Sequence, residues 1–301
     1  MLSSSSRLET KLQALGESAG EATIRSTTQG QIERYLLTGE SDPLYAAWPG
    51  SFFERATRGR QDLRTALASA VKRLSTGRAD SLIDKDCAML ARGKVEPMVI
   101  GLFPRREQSS VLTMLEDSVT FVTSVNIERL LFDSAFDSSA WPLANLYLAS
   151  LDLELLGPSA PRLVGFSEER TCYVSMDYFR STDPFADFIV HETAHIFHNC
   201  KRNAADLPET RTRVWLLDIE YRMREVFAYS CEAYARLMER GKSRVERQKL
   251  AEEYGRGASI TDGRVDSIEV AGIVQAAAAA RNGWKTILAR CAPKTPEKRA
   301  G

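Results

Sequence analysis

All three histidines of this 301-residue chain fall inside one stretch, His191-Glu192-Thr193-Ala194-His195-Ile196-Phe197-His198. The first five residues form an HExxH pattern. On a helix, residues four apart lie about 40° apart on one face, so His191 and His195 reach toward the same point. Glu192 lies roughly 100° further round, placed to take a proton from a water held by a shared metal without being a ligand. The segment is therefore constrained to be a helix, and its histidine face must look into a cleft.

The flanking residues agree with a buried helix. Ala186, Ile189, Val190 and Phe197 are apolar, and a helix this apolar belongs in a core. Asp183-Pro184 reads as its start, since aspartate caps and proline suits the first turn. Asp187 precedes His191 by one turn and is a candidate partner for a histidine N–H, or a plain helix-start aspartate.

A catalytic zinc site needs three protein ligands and one open position. His198 shares the histidine face, but a straight helix carries it about 10 Å along the axis from His191. That disfavours His198 as a ligand and suits a role lining the cleft. The other candidates lie downstream, where residues 214–240 read as one long helix. Its apolar side includes Leu216, Ile219, Met223, Val226, Phe227, Tyr234 and Leu237. The opposite stripe carries Asp218, Tyr221, Glu225, Ala228 and Glu232, with Tyr229 beside it. An exposed acidic face would pair with lysines at i+4; this one has none. Glu225 and Glu232 sit about 10 Å apart along such a helix, so only one reaches the ion. The other is then placed to accept an imidazole N–H.

HExxH followed by a helical glutamate resembles the gluzincin metallopeptidases. Glu225-Val226-Phe227-Ala228 is similar to the E-x-F-A of their anthrax-lethal-factor-like branch, and the run from Arg224 to Arg236 resembles stretches in bacterial proteins with a similar HExxH. The likeness spans about residues 170–238. It implies zinc, one ion per chain, held by His191, His195 and Glu225, with Glu192 as general base, and a protein or peptide substrate. Tyr221 and Tyr229 are candidate donors to the oxyanion, and His198, Glu232 and Asp187 are candidates for the groups behind the ligands. Many gluzincins carry an aspartate four residues after the third ligand; here that position is Tyr229. In zinc peptidases a strand before the metal helix often binds extended substrate along its edge, and Thr171–Met176 is the run in that place, with an ordinary core strand as the equal alternative. The competing readings are a zinc hydrolase acting on another bond, and a non-enzymatic, zinc-stabilised regulator on a degenerate peptidase fold. The retained Glu192 argues against the last.

The fold class read from the sequence is α+β and mostly helical: a zincin-like core with a small sheet beside the HExxH helix, and a helical N-terminal region. The boundaries are a polar, partly disordered segment at 1–30, a helical region at 31–135, the metallopeptidase-like domain at 136–291 and a flexible tail at 292–301. Helices are expected near residues 60–74, 139–156 and 266–281, and short strands at 162–166 and 171–176. Residues 97–103 fit a strand or a helix. Lysine plus arginine and aspartate plus glutamate are equal at 40 each, so no nucleic-acid partner is expected. No apolar run has membrane-spanning length. Five scattered cysteines and no secretory signal point to reduced thiols and a cytoplasmic protein. Oligomeric state leaves no mark in the sequence.

Overall fold

The computed structural model describes residues 27–78, 87–134, 137–257, 260 and 262–293. The polar segment expected at 1–30 lies outside the described residues up to residue 26, and the tail from residue 294 onward does too. The described residues are mostly helical with one small mixed sheet, and they divide into two units. The division does not follow the linear boundary near residue 135. The described residues up to 78 join those of 123–163 in one unit, and the described residues of 87–122 join those from 164 onward in the other.

The first unit is helical. Thr27 caps α1 (Thr28–Thr38), accepting from the Gly30 amide, and Gly39 ends it at φ 73°, a left-handed value natural to glycine. Glu54 reaches back to the Ser51 amide at 2.8 Å and opens α2 (Phe52–Ser75), longer than the 60–74 expected. The short α5 (Ile127–Asp133) and α6 (Asp137–Ser150) pack with α2. Asp137 sits buried against Arg64 (3.3 Å) and the Tyr45 hydroxyl, and its carbonyl accepts from Tyr35 at 2.6 Å. These bonds join α1, α2 and α6 across residues distant in sequence.

The second unit carries the histidine segment. Residues 97–103 resolve as the end of α3 (Cys87–Leu102), with Pro97 inside the helix; α4 (Arg105–Glu116) follows. The sheet runs β1-β3-β2, with β1 Val119–Val122, β2 Gly165–Glu168 and β3 Thr171–Ser175. β1 pairs parallel to β3 (Val119 beside Cys172), and β2 pairs antiparallel (Gly165 beside Val174). The strand expected to offer its edge, Thr171–Met176, is thus the central one, with both edges paired. The strand at the end of the sheet is β2.

α7 (Phe188–Asn199) lies on β2 and β3 and against α8 (Arg224–Arg240). Its start is Asp187, whose side chain accepts from the Val190 amide, and not Asp183-Pro184. α9 (Arg244–Gly257), α10 (Ser267–Ala279) and α11 (Gly283–Cys291) complete the unit; α10 and α11 pack on α8. The helix read as 214–240 begins only at Arg224. Residues 214–220 are loop and Tyr221–Met223 is a single 3₁₀ turn. Leu216, Leu217 and Ile219 are buried from that loop, and its amides are satisfied by tertiary acceptors: Leu216 N to Cys200 O and Leu217 N to Phe197 O. The apolar spacing that mimics a helix there comes from a chain pinned against α7. No helix among the described residues is long and apolar enough to cross a membrane.

Candidate metal centre

α7 presents His191 and His195 toward the first turn of α8, which presents Glu225. His191 Nε2 and His195 Nε2 are 3.3 Å apart, and Glu225 Oε2 lies 3.7 Å from the first and 3.4 Å from the second. Three ligand atoms thus converge on one point, the only such group among the described residues.

What stands behind each ring decides which nitrogen is bare. His191 Nδ1 is 3.0 Å from Glu232 Oε2, and a carboxylate only accepts, so Nδ1 carries the proton. Glu232 is itself fixed, accepting at Oε1 from the Asp187 amide at 2.8 Å. His198 Nδ1 is 3.2 Å from the Asn199 amide oxygen and donates to it, which leaves His198 Nε2 to accept from His195 Nδ1 at 3.1 Å. Both Nε2 atoms that face Glu225 are therefore lone-pair donors in the neutral rings.

The charges follow the same geometry. Burial works against a charged His191, but hydrogen bonds to Glu225 and Glu232 outweigh it and hold its pKa up at about 10. The two histidines hold the Glu225 carboxyl well below the usual carboxylate range. His198 is pushed down to about 3 by burial and then by His195 and Arg224, so it stays neutral. Burial raises Glu192, against the pull of His191, His195 and a Ser167 hydrogen bond.

The remaining sequence candidates separate clearly. Glu192 is buried against β2, where a Cβ on Gly165 would meet its Cγ at 3.1 Å. Tyr229 packs edge-on to His191, ring centres 4.5 Å apart, and burial pushes its hydroxyl up to about 12. Tyr221 is 83% exposed and lines the cleft together with His195 and Glu225; it is not on the helix with Glu225, as the sequence suggests. Asp187 touches no histidine ring. It caps α7 and pairs with Lys94 at 2.8 Å, and Lys94 also meets Glu239 at 2.5 Å.

Arg264 escaped the sequence reading. Its guanidinium is 3.1 Å from Glu225 Oε1, the oxygen turned away from the histidines, and 2.6 Å from Asp262. It stands in a turn between α9 and α10 with no periodicity, so nothing local marks it. No family model, curated protein or solved structure matches this chain.

Proposed function

We propose that this protein is a zinc-dependent peptidase of gluzincin type. His191, His195 and Glu225 hold the ion, and Glu192 is the general base. One observation carries the reading: His191 Nε2, His195 Nε2 and Glu225 Oε2 converge, 3.3, 3.4 and 3.7 Å apart. A tetrahedral ion with bonds of about 2.0–2.1 Å separates its ligands by about 3.3–3.4 Å. Without a metal, a proton on His191 offsets the carboxylates around it; a bound cation takes that proton's place, because a ligating imidazole must be neutral. The donor set, two histidines and one glutamate, is that of a catalytic zinc with an open fourth position.

Zinc held there supplies an acidified water and polarises the scissile carbonyl. The chain's own groups do the rest. Glu192 accepts the proton and passes it to the leaving amine; its raised pKa brings it nearer to that exchange at neutral pH. Glu232 and His198 hold the two imidazoles with Nε2 inward. Tyr221 at the cleft and Tyr229 against His191 are the hydroxyls available to a developing oxyanion. β2, the end strand of the sheet among the described residues, lies against Glu192, where an extended peptide can add.

The test joins metal analysis to cleavage mapping. The purified chain is expected to carry one zinc, and cleavage of a proteome-derived peptide mixture is expected to vanish in Glu192→Gln while the zinc stays. Equal cleavage by that variant, or full zinc in His191→Ala, would remove the reading.

A further inference from the structure

The cleft that opens over the ligand set has a volume of about 400 Å³ and is lined by His195, His198, Glu225 and three arginines, Arg222, Arg224 and Arg264. Two of the arginines are neutralised. Arg222 pairs with Glu220 at 2.8 Å, and Arg264 with Asp262 and Glu225. Arg224 is different. Among the described residues it has no carboxylate partner, and its Nε is buried without a hydrogen bond. Its guanidinium lies over the face of Tyr221, 5.3 Å from the ring centre. A buried donor on a charged group is normally satisfied, and leaving it open costs free energy.

Resting on the zinc-peptidase reading, we propose that this cleft recognises a carboxylate of the substrate next to the scissile bond, with Arg224 as the residue that binds it. The guanidinium fork matches a carboxylate in two parallel hydrogen bonds. Arg224 directly precedes Glu225, so its reach is measured from the metal ligand itself. A carboxylate seated there would face the Arg224 guanidinium and meet the positive end of α8, whose first turn holds Arg224. Nucleic acid is disfavoured as the occupant, because two of the three arginines are already paired and the chain carries equal numbers of acidic and basic residues. The carboxylate is that of an acidic side chain or of a free C-terminus.

Three zinc-anchoring probes distinguish these sources: the hydroxamates of succinyl-glutamine amide, succinyl-glutamate amide and succinyl-glutamine with a free C-terminus. Binding to the zinc-loaded chain is measured by calorimetry at low ionic strength. At least one of the two acids is expected to bind about 10–100-fold more tightly than the neutral probe, the worth of a charge-assisted hydrogen bond or two. Which acid gains identifies the source. The ratio is expected to fall toward one in Arg224→Gln and to survive in part in Arg224→Lys, a variant that keeps the charge. Equal affinities in the wild type, or an undiminished ratio in Arg224→Gln, overturn the proposal while leaving the zinc reading intact. If no hydroxamate binds, the metal has no open position, and the zinc reading falls and takes the proposal with it.

Discussion

His191 is held between two glutamates of α8, with Nδ1 3.0 Å from Glu232 and Nε2 3.7 Å from Glu225. The two carboxylates are seven residues apart, about two turns of helix, so one imidazole spans the distance between them. In the proposed zinc site the inner glutamate completes the ligand set and the outer one aims the ring.

The two glutamates should differ in what their loss does to zinc. Glu225→Ala is expected to lose a ligand and most of the affinity. Glu232→Ala should weaken binding by about 10–100-fold, the usual cost of losing a carboxylate behind a metal-bound histidine. Competition with a chelator measures both. The reverse order would exchange their roles.

Gly165 should matter through Glu192. A Cβ at this position would approach the Glu192 Cγ and the Tyr173 carbonyl, each at 3.1 Å. Gly165→Val is expected to displace the carboxylate and lower kcat at least tenfold with zinc content unchanged, since about 1 Å of misplacement costs as much as 100-fold. A variant with unaltered turnover would place the base elsewhere.

Glu107 in α4 should dominate acid stability. It is buried, and accepts from Arg202 (3.0 Å) and Arg213 (3.3 Å) in the segment that follows α7. Burial pushes its carboxyl up, but the two guanidiniums outweigh this and hold it below its ordinary 4.5. A carboxyl depressed by folding stabilises the fold above its unfolded pKa, and the stabilisation is lost as pH falls through the folded value. Glu107→Gln should therefore cost about 3–5 kcal/mol at neutral pH, because the buried Arg202 charge is left without its carboxylate. The loss should shrink below pH 4.5. Urea unfolding at pH 7 and pH 3 checks both points.

All five cysteines are free thiols in the structure, four of them buried, with Cys87 half-buried. Burial pushes Cys172 and Cys231 well above the ordinary thiol range. A thiol reagent at neutral pH should label Cys87 first, and all five only after unfolding without reductant. Fewer than five on unfolding would mean disulfides and a different fold of these segments.

The face of α7 was readable because spacing alone sets it: i and i+4 share a side whatever surrounds the helix. Its start was not. Asp183-Pro184 and Asp187 carry the same cap chemistry, and the choice between them falls to Lys94, which pairs with Asp187 from residue 94 of the chain. The start of α8 misled for a related reason. Leu216, Ile219 and Met223 keep helical spacing while the backbone between them bonds to Phe197, Cys200 and Cys291. The sheet order also lay outside local sequence, since β1 reaches β3 from some fifty residues away. Arg264 is the clearest loss, a loop residue whose partners, Glu225 included, exist only in three dimensions.

The three imidazoles form one connected array: His191 and His195 meet at Nε2, and His195 and His198 are joined through Nδ1 and Nε2. Because the chain has no others, every histidine signal in a magnetic resonance spectrum originates here. Labelling histidine alone would turn the whole protein into a reporter with three imidazoles. In the neutral form each ring keeps its proton on Nδ1, so loading the site should shift the Nε2 signals of two rings and leave the third nearly still. That pattern distinguishes ligand from neighbour without a single substitution.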